Sequence, residues 1–197
     1  MSHFNHAANT WDSEEKISMM GELASKTREK LALSSKVDLL DVGCGTGLFS
    51  FEFIDQVKSI TGIDTSEGML EVFNNKAKGF DNIKSINIDL ERDGLEMKFD
   101  LIISSMVFHH LDQPQKMLSK LASMLNEGGQ IAIVDLETED GSFHPRPKEM
   151  GVKHFGFSNE EVESWADSAK LKVSISTIST REKNGKSYAQ FLAVFTR

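Results

Sequence analysis

A glycine-rich turn directly after an apolar run is the feature that most constrains the fold of this chain. Residues 37–41 read Val-Asp-Leu-Leu-Asp, and Gly43, Gly45 and Gly47 follow at alternate positions. Glycines permit a tight turn between a strand and a helix, and they let a ligand approach the backbone closely. The sequence therefore predicts a strand, a turn and a helix in succession, with a ligand at the turn.

Apolar runs alternate with amphipathic stretches through the middle of the chain. After the first strand, further strands are predicted at 59–63, 83–88, 99–104 and 131–134. Helices are predicted at 48–55, from about Ser66, and from Pro114 to the glycine pair 128–129. Strands and helices that alternate in this way favour a parallel sheet covered by helices on both faces.

Both ends of the chain depart from this alternation. A helix is predicted from Ser13, and its apolar face is formed by Ile17, Met20, Ala24 and Leu31. Residues 137–157 form a long irregular segment, which is usually functional in a compact domain. A capping box opens a helix at Ser158, with Phe157 and Val162 placed as a hydrophobic staple. Strands are then predicted at 173–180 and 187–196, joined by the hairpin turn Asn184-Gly185.

Composition limits the partners and the compartment. The 197 residues suit one domain, and the net charge of −8 disfavours nucleic acid, which needs a basic face. The single cysteine, Cys44, rules out an internal disulfide, and no apolar run is long enough for a membrane span. The first residues carry no secretory signal, so we expect a cytoplasmic protein. The sequence gives no indication of an oligomeric state.

Two acidic residues help to identify the ligand of the glycine turn. A dinucleotide fingerprint needs a third glycine where this chain has Leu48. Asp64 ends the second strand about twenty residues after the turn, where a carboxylate can accept both ribose hydroxyls; it could instead cap the helix that begins near Ser66. Asp89, after the third strand, could accept from an adenine amino group, or it could be a solvated loop acid.

Three segments together resemble a known family. Residues 39–47, 62–70 and 99–105 resemble the successive motifs of class I S-adenosylmethionine-dependent methyltransferases, in particular the small-molecule branch that includes ubiquinone/menaquinone biosynthesis methyltransferases. The resemblance covers residues 37–136. It implies a single α/β domain over residues 1–197, with a Rossmann-like seven-stranded, mostly parallel sheet, helices on both faces and a C-terminal antiparallel hairpin.

The resemblance also implies roles for individual residues. S-adenosyl-L-methionine would be the cofactor, and its methionine end would be bordered by Asp41, Gly43, Ser104 and Ser105. Gly45 and Gly47 would shape the turn, and Asp64 would hold the ribose. Thr65 and Met69 would flank the adenine, and Asp89 and Leu90 would meet its edge. Residues 1–35 would form an N-terminal lid and helix, for which Phe4, Asn9 and Trp11 are candidates by position, and residues 137–157 would overlie the substrate.

Histidines are the candidate catalytic groups. His109 and His110 follow the fourth strand, and His144 lies in the irregular segment. A histidine near the reaction centre could accept a proton from the methyl acceptor; alternatively, such a pair packs beneath the next helix or is half solvated. The spacing of the histidines matches no zinc signature, so no metal is expected.

The favoured function is transfer of a methyl group to a small molecule. Methyl transfer is an in-line displacement, in which holding the reactants in line accounts for much of the rate. Two alternatives remain open. One is aminopropyl transfer on the same fold, for which the acids Glu137, Glu139 and Asp140 could hold a polyamine. The other is a non-catalytic protein that binds the cofactor.

Overall fold

The structure is a computed structural model that describes residues 3–33 and 36–197. The strands are β1 (Val37–Val42), β2 (Val57–Asp64), β3 (Ile83–Asn87), β4 (Phe99–Ser105), β5 (Leu125–Leu136), β6 (Lys172–Lys183) and β7 (Lys186–Thr196). The α-helices are α1 (His3–Ala7), α2 (Glu14–Lys30), α3 (Glu67–Lys76), α4 (Pro114–Ser123) and α5 (Asn159–Ala169). Short 3₁₀ helices span Ala8–Thr10, Ser50–Phe53 and Phe108–His110. None of the described helices is both long enough and apolar enough to cross a membrane.

All seven strands form one sheet in the order β3-β2-β1-β4-β5-β7-β6. The neighbouring strands from β3 to β5 pair in parallel, whereas β7 is antiparallel to both β5 and β6. Asn184 and Gly185 join β6 to β7 with φ angles of 52° and 74°, as a tight hairpin turn requires. The predicted fold class is therefore confirmed, including the C-terminal hairpin.

Helices cover both faces of this sheet. On one face α2 and α3 pack on the strands through Leu23, Ala24 and Phe73, and on the other α4 and α5 pack through Leu118 and Trp165. The central strands are consequently buried on both sides, which explains their almost uninterrupted apolar sequences.

Serine residues cap the N-termini of three of the helices. Ser13 and Ser66 cap α2 and α3 by accepting hydrogen bonds from the backbone amides three residues further on. Ser158 and Glu161 form the predicted reciprocal capping box of α5. Each cap satisfies an amide that would otherwise lack a partner at the start of a helix.

Three details of the sequence prediction are wrong. Residues 48–55 form turns and the 3₁₀ helix Ser50–Phe53 instead of an α-helix. Helix α4 ends at Ser123, and the glycines at 128 and 129 lie in an irregularity of β5, where the pairing with β4 shifts register. Ile17 is 48% exposed because α2 buries a face displaced from the predicted one, centred on Leu23, Ala24 and Thr27.

Candidate cofactor and acceptor site

A cavity of about 300 Å³ opens where β1, β2 and β4 end. The carboxyl ends of parallel strands meet at this edge, and β1 lies between β2 and β4, where the direction of the connections reverses. Most of the predicted cofactor residues line the cavity: Trp11, Asp41, Gly43, Gly45, Asp64, Thr65, Met69, Asp89, Leu90 and Ser105. The structure thus brings together residues from positions that are far apart in the sequence.

The glycine turn forms one wall of the cavity. The amides of Gly43 and Cys44 both donate to the carbonyl of Ile63, at 2.8 and 3.0 Å, so the turn is fixed to the end of β2. Gly43 has a φ of 70°, and a Cβ there would lie 2.5 Å from the Val107 side chain. Gly47 does not line the cavity, because it packs against Phe51 and other apolar side chains behind the turn.

The Asp64 carboxylate links the glycine turn to α3. One oxygen accepts from the amide of Gly45 at 2.9 Å, and the other accepts from the amide of Ser66 at 2.8 Å. Burial raises the pKa of Asp64, and the hydrogen bonds from the backbone oppose that rise. Asp64 therefore lines the cavity and also orders the start of α3, so the two sequence interpretations are compatible.

The Asp41 carboxyl is the most deeply buried acid of the cavity wall. It is 2% exposed, and among the described residues its Oδ2 atom has no hydrogen-bond partner. Burial raises the pKa of Asp41 to about 7, and the negative charge of Asp64 adds to the rise. The hydroxyl of the nearby Ser50 opposes the rise. A buried carboxylate oxygen without a partner is costly in free energy, so a cation entering the cavity would stabilise the ionised form.

Asp89 and Leu90, which follow β3, line another side of the cavity. The Asp89 carboxylate accepts from the amide of Glu91 at 3.1 Å and pairs with Arg92 at 3.3 Å, while Leu90 is buried. Leu90 and its neighbour Ile88 give this side an apolar surface next to a carboxylate. That combination suits the edge and face of an aromatic base.

The end of β4 differs from the sequence prediction. Ser104 does not face the cavity: it is buried, and its hydroxyl donates to the carbonyl of Val42 at 2.9 Å. Side chains alternate along a strand, so Ser105, the next residue, lines the cavity instead. Met106, which the sequence did not single out, follows with a φ of 59° and also lines the cavity. A left-handed conformation in a non-glycine residue is strained, and such strain clusters at functional sites.

The N-terminal segment closes one side of the cavity. Phe4 and Trp11 line it, and their rings pack edge to face at 5.7 Å. The Asn5 side chain holds α1 on α3 by accepting from the hydroxyl of Ser66 and from the amide of Gly68. Asn9, also a candidate by position, is exposed and lies outside the cavity.

Asp12, which no sequence pattern singled out, fixes this segment to the glycine turn. Its carboxylate accepts from the hydroxyl of Thr46 at 2.6 Å and pairs with Lys76 at 2.5 Å. Lys76 in turn donates to the carbonyl of Thr46 at 2.9 Å. The three side chains come from the N-terminal segment, the turn and α3, so only the folded chain brings them together.

The three candidate histidines are adjacent, but only His110 lines the cavity. His110 packs edge to face against Phe4 at 5.4 Å. His109 is buried, and its Nδ1 atom lies 2.6 Å from a carboxylate oxygen of Asp135. Burial lowers the pKa of His144 to about 3, and the neighbouring histidines add to that shift.

The acids of the irregular segment are engaged in contacts of their own. Glu137 accepts from the hydroxyl of Thr177, and Glu139 accepts from the amides of Ser142 and Phe143. Asp140 pairs with a lysine of β7. None of these acids lines the cavity. They line a separate pocket beside β7 instead, so a polyamine held by them would lie outside the cavity of the glycine turn.

Comparison with known protein families matches residues 33–188 to the family described as a methyltransferase domain. The chain belongs to this family. Its sheet order and C-terminal hairpin are those of a class I S-adenosylmethionine-dependent methyltransferase, as the motifs predicted. The family match spans the cavity and the irregular segment, while the N-terminal segment with Phe4, Trp11 and Asp12 lies outside it.

Individual relatives agree with this assignment. The chain is 32% identical over 134 residues to malonyl-[acyl-carrier protein] O-methyltransferase 1 of Ilyobacter polytropus, covering 66% of this chain and 49% of that protein. It is 29% identical over 109 residues to a ubiquinone biosynthesis O-methyltransferase of Coxiella burnetii, covering 52% and 44%. The methyltransferase chain therefore spans about half the length of these curated relatives.

A solved structure shares the whole fold. An S-adenosylmethionine-dependent methyltransferase from Aquifex aeolicus superposes with a TM-score of 0.70 at 22% identity, covering 98% of both chains. At this identity the likeness concerns the fold alone. It includes the N-terminal and C-terminal parts of the methyltransferase that the family match leaves out.

Proposed function

We propose that this methyltransferase transfers the methyl group of S-adenosylmethionine to a small molecule by in-line displacement. The observation that carries the proposal is the position of Asp64 in the cavity wall, between the glycine turn and α3. A carboxylate has about four acceptor sites, and the amides of Gly45 and Ser66 use only part of that capacity. The remaining capacity suits two ribose hydroxyls.

The rest of the cavity fits the other parts of the cofactor. The apolar surface at Ile88 and Leu90, next to Asp89, suits the adenine ring and its amino group. Asp41 offers a buried carboxyl for the positive charges of the methionine end. With ribose at Asp64, the methyl group would point toward Ser105 and the region of His110.

A small acceptor is the best match for the space that remains. The aromatic rings of Phe4 and Trp11 cover one side of the cavity, which limits the size of what can enter. The net charge of −8 opposes a phosphate backbone. The named relatives are O-methyltransferases of malonyl-[acyl-carrier protein] and of ubiquinone biosynthesis, so a carboxylate or hydroxyl oxygen is a reasonable first class of nucleophile to assay.

Calorimetry with S-adenosylhomocysteine tests the cofactor part of the proposal. The wild-type chain should bind in the micromolar range, and Asp64→Ala should weaken binding at least about 30-fold, because charge-assisted hydrogen bonds contribute about 2 kcal/mol. Thermal unfolding of the variant checks that it still folds. Asp55→Ala, which removes an exposed acid outside the cavity, is the matched control and should bind normally. Undetectable binding to the folded wild-type chain would refute the proposal.

Methyl transfer itself needs a second assay. Incubation with S-adenosylmethionine and a panel of small carboxylic acids, phenols and thiols should yield S-adenosylhomocysteine and a methylated product together. Tight cofactor binding without any product would favour the non-catalytic alternative. Turnover of the decarboxylated cofactor in its place would favour aminopropyl transfer.

A further inference from the structure

Three imidazoles meet beside the cavity although the sequence spacing predicted no metal site. His109 and His110 belong to the 3₁₀ helix after β4, and His144 comes from the irregular segment after β5. One ring nitrogen from each of them lies within 4.8 Å of the other two. Short-range zinc signatures cannot detect such a group, because the fold brings the third histidine in from 34 residues away.

His109 is held in the orientation that a metal ligand needs. Its Nδ1 atom lies 2.6 Å from Oδ1 of Asp135, and its backbone amide donates to the other oxygen of the same carboxylate at 3.2 Å. Asp135 is fully buried, so its carboxylate is held close against the His109 ring and backbone. A carboxylate that accepts from one ring nitrogen fixes the tautomer and leaves the lone pair on the other.

That second nitrogen is the unexplained atom of the site. His109 is 1% exposed, and its Nε2 atom has no hydrogen-bond partner in the part of the chain that the structure describes. Leaving a buried polar atom without a partner costs about 1–3 kcal/mol. A ligand at Nε2 would remove that cost. The imidazoles of His110 and His144 lie next to the His109 ring, with ring centroids 4.1 and 4.9 Å from its own.

His110, like His109, has a hydrogen-bond acceptor next to its Nδ1 atom; such an acceptor is called an outer partner of the histidine. Its Nδ1 atom lies 3.2 Å from the carbonyl oxygen of Gly151. When Nδ1 donates to that carbonyl, the lone pair of the ring is on Nε2. Two neighbouring imidazoles are therefore each oriented through Nδ1, one by a carboxylate and one by a carbonyl, which are the outer partners that ligating histidines usually have.

We propose that His109, His110 and His144 bind one divalent transition-metal ion, with zinc as the first candidate, and that Asp135 orients His109 as an outer partner. Three imidazoles and one open position form a donor set that suits zinc and leaves room for water or substrate. The nitrogens of a tetrahedral zinc site are about 3.3 Å apart, so the group must close from its present spacing. His144 lies outside the helices and strands, so it is the ligand least constrained by regular backbone hydrogen bonding.

The proposal changes the role of these histidines in the reaction. A ring nitrogen bound to a metal has no lone pair available for a proton, so these histidines would not serve as a general base. The bound metal would act as a Lewis acid instead. His110 also lines the cavity, so a metal held by it would lie beside the space proposed for the methyl acceptor. A metal there would lower the pKa of a bound hydroxyl or hold a carboxylate of the acceptor.

Metal binding by the untagged chain tests this inference. The protein is stripped with a chelator and titrated with Co²⁺, followed by Zn²⁺ in competition with a chromogenic chelator. A background with His3→Ala and His6→Ala removes two N-terminal histidines that could bind metal by themselves. We expect one equivalent of Zn²⁺ and the visible absorption of tetrahedral Co²⁺. The absence of both in the folded chain would overturn the proposal.

Variants then assign the ligands. His144→Ala should weaken Zn²⁺ binding more than about 100-fold, and Asp135→Asn should weaken it about 10- to 100-fold, as outer partners typically do. His154→Ala is the matched control: it removes another histidine of the same segment, which contacts the carbonyl of Leu111 instead of the group, and binding should persist. Unchanged binding in His144→Ala, or an equal loss in His154→Ala, would overturn the assignment.

The test is independent of the proposed methyl transfer. Calorimetry with S-adenosylhomocysteine is repeated on the metal-free chain, where the cofactor should still bind through Asp64. Cofactor binding without any metal binding would refute the metal site and leave the proposed function standing. Metal binding without cofactor binding would do the reverse.

Discussion

Asp41 shows how burial of one residue prepares the site for a charged ligand. Burial raises its pKa to about 7, so a large share of the folded chains carry a neutral carboxyl near neutral pH. S-adenosylmethionine brings a sulfonium and an ammonium group, and a cation near Asp41 favours the ionised form. If the cofactor binds as proposed, its binding and the loss of the Asp41 proton are coupled.

This coupling predicts a pH dependence of cofactor affinity. Below pH 7 the proton must be displaced, so the dissociation constant for S-adenosylmethionine should rise about tenfold between about pH 8 and about pH 6. Asp41→Asn should bind more weakly and should lose most of this dependence. Calorimetry at several pH values measures both. A wild-type profile that is flat over this range would contradict the role of Asp41.

The raised pKa of Asp41 also affects the stability of the chain without ligand, and there it favours low pH instead of high pH. The pKa of Asp41 is higher in the folded state than its ordinary value of 3.8, so the folded state binds a proton that the unfolded state has released. Its contribution to the free energy of unfolding is fully present below about pH 4 and is lost as the pH rises toward 7. The fold therefore does not stabilise the ionised form of Asp41, and the proposed cofactor would stabilise it instead.

At the scale of elements, the N-terminal segment acts as one wall of the site. It is joined to the glycine turn through Asp12 and Thr46, and to α3 through Lys76 and Asn5. These contacts are partly exposed, so each contributes modestly. Together they nevertheless hold the rings of Phe4 and Trp11 over the cavity.

Removing the contacts of Asp12 should therefore release the cofactor faster. Asp12→Ala leaves the hydroxyl of Thr46 and the ammonium of Lys76 without their shared partner, and we expect dissociation of S-adenosylhomocysteine to accelerate about fivefold, equivalent to about 1 kcal/mol. Stopped-flow fluorescence of Trp11 follows the release. Glu14→Ala, which removes an exposed acid two residues away, should leave the rate unchanged; an equal effect of both variants would contradict the account.

A second element, the irregular segment 137–157, is closed at its base by a backbone contact. Glu137 and Phe157 form an isolated parallel bridge, and Gly156 lies against it with a φ of 75°. A Cβ at Gly156 would lie 2.1 Å from the carbonyl oxygen of Glu137. Glycine is required there by both the conformation and the space.

Gly156→Ala should therefore destabilise the chain more than the backbone conformation alone explains. Gly185→Ala is the matched control, because Gly185 has a φ of 74° and open space around its Cα. The control should cost about 1–2 kcal/mol, and Gly156→Ala should cost clearly more. Urea unfolding of the two variants measures the difference, and equal losses would show that the bridge is unimportant.

For the whole molecule, the sequence predicted what local periodicity and short motifs encode. The alternating apolar runs predicted the sheet, and Asn184-Gly185 predicted the hairpin. The glycine turn and Asp64 predicted most of one cavity wall. The contacts of Asp12 and Asp135 could not be predicted, because each joins segments that only the complete sheet brings together. The orientation of Ser104 depends on the phase of the side-chain alternation along β4, which a buried strand with apolar residues on both faces does not reveal.

The structure of the chain in complex with S-adenosylhomocysteine tests the central claim most directly. The account predicts the ligand in the cavity at the ends of β1, β2 and β4, with its ribose hydroxyls about 2.7 Å from the Asp64 carboxylate. The adenine should lie beside Asp89 and Leu90. A ligand bound elsewhere, or a ribose that does not contact Asp64, would contradict it.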